Sequence, residues 1–170
     1  MVVVSIGVSR GPVRIGVVLS MVATAASLLA LAAAGIPSGF GIGILGGALL
    51  VAGTLGGSRR ILDYAALVLF SAVVVSGVGG AHPGPLLVSL VALVVAWDAG
   101  EQAINVGEQL GREARTHRAV VVHVSTTTIV GLGGAAAGYG VYRLAGGGQP
   151  ASALVFMLLG TVLIVWALRG

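Results

Sequence analysis

The feature that most constrains this chain is a succession of apolar stretches, each long enough to cross a bilayer. Crossing about 30 Å of hydrocarbon at about 1.5 Å per helical residue takes about 20 residues. Such runs occur at 15–34, 39–57, 61–80, 119–142 and 151–168. Another begins after His82-Pro83-Gly84-Pro85 but is apolar only to Trp97, short of a span unless it continues to about Ile104. Stretches such as Leu86 to Trp97 do not alternate polar and apolar residues, which excludes the strands of a transmembrane barrel. Helices satisfy their own backbone hydrogen bonds in lipid. The expected fold is all-α: a polytopic transmembrane helix bundle of about six helices at 15–34, 39–57, 61–80, 85–104, 119–142 and 151–168, a single transmembrane domain over 1–170. Composition agrees, with 57% hydrophobic and only 8% charged residues, against about 25% charged in soluble domains.

The first run has the positive flank (Arg10, Arg14) and Ala-rich end of a signal peptide, but its apolar stretch exceeds the roughly 7–15 residues of that template. An uncleaved first helix is expected. Orientation follows from arginine, since positive charges in short loops stay cytoplasmic. With the N-terminus inside, Arg10, Arg14, Arg59, Arg60, Arg112, Arg115, Arg118 and Arg169 are cytoplasmic and only Arg143 is outside. The expected topology is N-in/C-in in the cell membrane, with Trp97 and Trp166 near the inner interface.

The net charge of +4 does not indicate nucleic-acid binding, because the arginines are spread along the chain with no interleaved aromatics. With no cysteine there are no disulfides or thiolate ligands. Lysine is absent too, which suggests a GC-rich coding genome.

Gly41, Gly43 and Gly46 satisfy the G-x-G-x-x-G spacing of dinucleotide-binding turns, but they have no preceding strand and lie inside a membrane-length run. Gly39, Gly43 and Gly47 at four-residue spacing fit helix packing instead, because small residues let backbones approach closely. Gly134 and Gly138, and Ala26, Ala30 and Ala34, repeat the spacing, giving a tightly packed bundle, internal or homo-oligomeric.

The richest polar region runs from Asp98 to Arg118. Asp98, Glu101, Asn105, Glu108, Arg112 and Arg115 recur every three or four residues and share one stripe of a helix, with Glu108 and Arg112 placed to pair. Two pictures are open. In one, helix four leaves the membrane at Trp97 and 98–118 is a cytoplasmic polar helix or loop, with Glu108, Arg112, Arg115 and Arg118 as a docking surface. In the other, the span runs to Ile104 and carries Asp98 and Glu101 into the cytoplasmic leaflet, where charges must be paired. His123, one turn inside helix five and followed by Ser125, Thr126, Thr127 and Thr128, then lies at similar depth. Asp98, Glu101, Asn105 and His123 would form a polar layer that relays protons or holds a cation, or one that only fixes helices four and five together.

The histidines at 82, 117 and 123 form no H-E-x-x-H pair, and no Walker A loop, G-x-S-x-G elbow or EF-hand loop occurs. No enzymatic activity, cofactor or metal is expected.

Trp-Asp-x-Gly-Glu-Gln from Trp97, Gly-Glu-Gln-Leu-Gly-Arg from Gly107, Thr116-His117-Arg118 through His123, and Gly138-Tyr139-Gly140-Val141-Tyr142 resemble a haloarchaeal family of small multi-pass membrane proteins of unknown function. The resemblance covers residues 97–148. It implies an accessory role, since members tend to be encoded beside MoxR-type AAA ATPases, and no catalytic residues carry over. The leading expectation is a membrane scaffold or accessory subunit docking a partner through 98–118. The alternative is a small transporter or channel using Asp98, Glu101 and His123.

Overall fold

The computed structural model describes residues 11–110 and 117–144. Within them lie five helices: α1 (Arg14–Ala34), α2 (Pro37–Gly56), α3 (Arg59–Val78), α4 (Pro83–Leu110) and α5 (His117–Leu144). All five are long and apolar enough to cross a membrane. The described residues are all-helical, and the expected sixth helix at 151–168 lies outside them. The chain divides into two compact units, Met1–Ala135 and Ala136–Gly170. Of the second, only the end of α5 is described, where the Tyr139 and Tyr142 rings stack 6.2 Å apart.

The helix ends follow from local chemistry. Gly35 closes α1 with φ 74° and Gly57 closes α2 with φ 65°, a left-handed conformation that glycine enters without a Cβ clash. Pro37 stands in the first turn of α2, where its missing N–H costs nothing, so α2 starts at Pro37 and not at Gly39. Ser58 caps α3 by accepting a hydrogen bond from the Ile61 amide, which moves that start back to Arg59.

The larger difference is in α4, which continues unbroken to Leu110. Residues 98–110 are therefore the end of helix four and not a separate polar element. The cause is a second stripe of small residues on the opposite side from the charges. Ala99, Gly100, Ala103, Ile104 and Gly107 are buried. A Cβ on Gly16 of α1 would lie 2.6 Å from the Ala103 Cβ, and one on Gly107 would strike the Gly11 carbonyl. The Val13 amide also donates to the Ala103 carbonyl at 3.0 Å. The first turn of α1 thus packs on residues 99–107 of α4.

In the first unit, α2 packs most extensively on α3 and α1 on α4, with lighter α1–α2 and α3–α4 contacts. Tight connections make successive helices antiparallel, so the starts of α1 and α3 and the end of α4 share one end, here termed the arginine end. Leu31, Leu50, Leu62 and Leu69 are fully buried at the centre. Glycine sets the α2–α3 spacing: a Cβ on Gly46 would lie 2.8 Å from the Leu69 amide nitrogen, and one on Gly53 would lie 2.8 Å from that of Leu62.

Candidate functional site

Residues 96–98 of α4 organise a polar belt one to two turns in from the starts of α1 and α3, while α4 itself continues more than three turns beyond it. Successive residues on a helix point about 100° apart, so this short stretch reaches three neighbours. The Ala96 carbonyl accepts from Ser20 Oγ of α1 at 2.7 Å, and Ser20 Oγ lies 3.5 Å from Thr54 Oγ1 of α2. Trp97 Nε1 donates to Asp63 Oδ1 of α3 at 2.9 Å. Asp98 turns the other way, to α5.

There, Asp98 Oδ2 lies 2.9 Å from His123 Nε2 and accepts from Thr127 Oγ1 at 3.0 Å. The Asp98 side chain is 28% exposed and that of His123 46% exposed, so the pair sits at the edge of the bundle and not on its axis. Thr126 and Thr128 bond back to the carbonyls of Val122 and Val124 in their own helix, whereas Thr127 gives its hydroxyl to Asp98. The buried apolar contacts of α5 beside this site are Val120 and Val124. A Cβ on Gly131 would lie 3.0 Å from Val91 Cγ1, so α5 also approaches α4 closely two turns further on.

The layer is smaller than the sequence suggested. Asp98 and His123 come together, and Thr127 joins them. Glu101 and Asn105 are half-buried on the same helix and make no side-chain hydrogen bond with another described residue. Glu108 pairs with Arg59 of α3 across the bundle end, and the Arg112 expected to pair with it lies outside the described residues. Arg118 is exposed, and Arg112 and Arg115 lie outside the described residues. Among the described residues, no three His, Cys, Asp or Glu side chains gather to hold a metal ion.

The packing glycines serve two partners. Gly39 faces Ser76 and Ala72 of α3, while Gly47 faces Leu28 and Thr24 of α1, and Gly43 lies between Leu31 and Ala72. A Cβ on Gly134 or Gly138 would meet nothing within 4 Å.

Sequence reasoning placed Trp97 at an interface without joining it to Asp63, which stands one turn into α3. The available signal was that an indole N–H inside a span needs an acceptor, and Asp63 is the one acidic residue of the neighbouring α3. A second hydroxyl link, Ser27 Oγ to Ser89 Oγ at 3.0 Å between α1 and α4, was also missed.

This arrangement of spans, with the Trp97–Asp98 stretch at its centre, falls within a longer pattern, for residues 10–165 match the family of unknown function DUF7519. The chain belongs to that family. DUF7519 therefore covers all five described helices and the polar belt. No curated protein and no solved structure matches this DUF7519 chain.

Proposed function

We propose that the chain is an integral-membrane scaffold or accessory subunit of the cell membrane, oriented N-in/C-in, which recruits a protein partner at its cytoplasmic arginine end. The observation that carries this reading is the filled bundle axis. Leu31, Leu50, Leu62 and Leu69 are fully buried there, and glycines bring α2 against α3 backbone to backbone. The charged groups are thereby left at the edge and at the end, where they join helices or meet a partner. Because Asp98 is committed to α5 and Ala99, Ala103 and Gly107 to α1, the docking surface of this reading is centred on the end of α4 with Glu108, and on Arg112, Arg115 and Arg118.

The resemblance of residues 97–148 to haloarchaeal proteins encoded beside MoxR-type AAA ATPases supplies the partner class. The test is co-purification of such an ATPase with the detergent-solubilised chain. Reversing Arg112, Arg115 and Arg118 to Glu together is expected to lower recovery at least about tenfold, because like charges brought together at an interface cost several kcal/mol. Unchanged recovery overturns the docking surface. Orientation is tested separately, and the lack of native cysteine makes labelling clean. With a membrane-impermeant maleimide, His82→Cys reacts from outside and Arg118→Cys only after permeabilisation; the reverse pattern overturns N-in/C-in.

A second reading, a small transporter or channel, is favoured by one observation: the carboxylate–histidine contact of Asp98 and His123 inside a span-length helix pair. Its decisive variant is Asp98→Asn, since Glu101 stands apart from the histidine. Proteoliposomes showing a pH-dependent flux that Asp98→Asn abolishes would replace the scaffold reading, and absence of flux removes the transporter.

A further inference from the structure

Among the described residues, one groove lies between α3 and α4 and another between α1 and α2, and their charge differs. One, of about 470 Å³, lies between α3 and α4 along Ala66, Leu67, Phe70, Leu90 and Val94, and ends at the Asp63–Trp97 hydrogen bond. Arg60 follows the groove face of α3 one turn from Asp63, and Glu101 follows Trp97 by one turn on α4, so acid and base both stand at its mouth.

The other groove, of about 380 Å³, lies between the first turns of α1 and the last turn of α2, lined by Pro12, Arg14, Val17, Val18 and Leu55. Its charge is of one sign, because neither α1 nor α2 contains an Asp or Glu. Arg14 is exposed and makes no ion pair with another described residue, in contrast to Arg59, which is tied to Glu108. The apolar walls are unsatisfied as well: Val18 is 53% and Leu55 57% exposed. The rim is also held in place. Val13 is hydrogen-bonded to the Ala103 carbonyl, and Pro12 lies where a Cβ on Gly57 would touch it at 3.6 Å. The result is an apolar trough with the exposed Arg14 at its head, on a backbone anchored at Val13.

We propose that this α1–α2 groove binds one anionic membrane lipid, with its phosphate on Arg14 and an acyl or alkyl chain along Val17, Val18 and Leu55. The inference rests on the membrane-spanning fold and is independent of the docking surface. Lipid is the solvent for this surface, so a hydrocarbon chain fills the trough, and the headgroup is chosen by charge. A guanidinium offers a planar fork of N–H donors that matches phosphate oxygens, and nothing acidic on either helix competes for it. The grooved arrangement distinguishes this arginine from a merely positive flank, because shape and charge are read together.

The experiment is native mass spectrometry of the full chain in detergent, titrated with phosphatidylglycerol or with phosphatidylcholine of the same chains. One phosphatidylglycerol is expected to be retained about tenfold more strongly than phosphatidylcholine, because both offer a phosphate to the guanidinium but the choline cation cancels the headgroup's net charge and is repelled by Arg14. Arg14→Gln is expected to reduce retention to the phosphatidylcholine level, Leu55→Trp to fill the trough and weaken both lipids, and Arg60→Gln to leave retention unchanged. Should Arg14→Gln fail to fold, Leu55→Trp against Arg60→Gln decides. Equal losses in Arg14→Gln and Arg60→Gln would mean diffuse surface attraction, and displacement of the lipid by millimolar inorganic phosphate would mean an anion site with no use for the chain. Either result overturns the proposal, as does full retention by Leu55→Trp.

Discussion

The α2–α3 seam and the α4–α5 seam join helices by different means. Along α2, Gly39, Gly46 and Gly53 recur every seven residues, and each removes a side chain so that α3 can approach: Ser76 at the first, Leu69 at the second and Leu62 at the third. Along α4, one carboxylate gathers two side chains of α5, His123 and Thr127, with Val120 and Val124 buried nearby. In lipid there is little hydrophobic drive between helices, so association comes from close packing or from hydrogen bonds. The first seam spends its sequence on the former and the second largely on the latter. The lesson is one of distribution. A glycine seam spreads its energy over many weak contacts, whereas a carboxylate seam concentrates it in one residue.

The largest expected effect tests the glycine seam. Gly46→Val places a branched side chain against the Leu69 backbone, with a Cβ 2.8 Å from its amide nitrogen. This overpacking is expected to cost about 3 kcal/mol, read as a fall in the unfolding midpoint in a denaturing-detergent titration. A wild-type midpoint would break the comparison. Next comes Asp98→Ala, expected to cost about 1–2 kcal/mol, in the range of charged and interhelical hydrogen bonds. Combining it with His123→Ala should cost clearly less than the two single losses added, because both remove one interaction; full additivity would show that the contact carries no energy. Trp97→Phe keeps an aromatic ring but removes the pyrrole portion with the bond to Asp63; the part due to the bond, about 0.6 kcal/mol, should vanish in an Asp63→Ala background. The smallest effect is at Gly134→Ala, where a Cβ meets nothing within 4 Å. Removing a helical glycine there is expected to raise stability by about 0.5 kcal/mol or leave it unchanged. A marked loss would show that this face of α5 is covered by something other than the described residues, and would move α5 towards the glycine-seam class.

The five described helices were legible because lipid demands long apolar runs and short connections, and both are plain in the sequence. Helix four was not, because its end uses its two sides differently. Hydropathy averages Asp98, Glu101 and Asn105 with Ala99, Ala103 and Gly107, and the average hides that the small residues form a face of their own against α1. The carboxylate–histidine–hydroxyl layer was legible in part. Equal depth brought Asp98 to His123 and its following threonines, but depth cannot say which threonine turns to α4, and it gave Glu101 and Asn105 the same standing as Asp98. For the glycines, the four-residue spacing of Gly39, Gly43 and Gly47 drew attention from the seven-residue series that meets α3. A helix with two neighbours carries two overlapping patterns, and spacing alone does not assign them.

The nested pairing of the first four helices sets an order of assembly. α2 and α3 are joined by a two-residue turn, Gly57 and Ser58, and can close on one another as soon as both are in the bilayer. α1 pairs with α4, whose last described residue, Leu110, comes 76 positions after Ala34, on the order of ten seconds of synthesis at common elongation rates. Through that interval the face of α1 bearing Gly16, Ser20 and Ser27 has no α4 to meet: Ser20 can still approach Thr54 of α2, but Ser27 lacks Ser89 and has its own helix or a passing chain to bond. The last helix of the four is therefore the one that completes the fold, and the chain is most open to wrong company just before its polar belt is made.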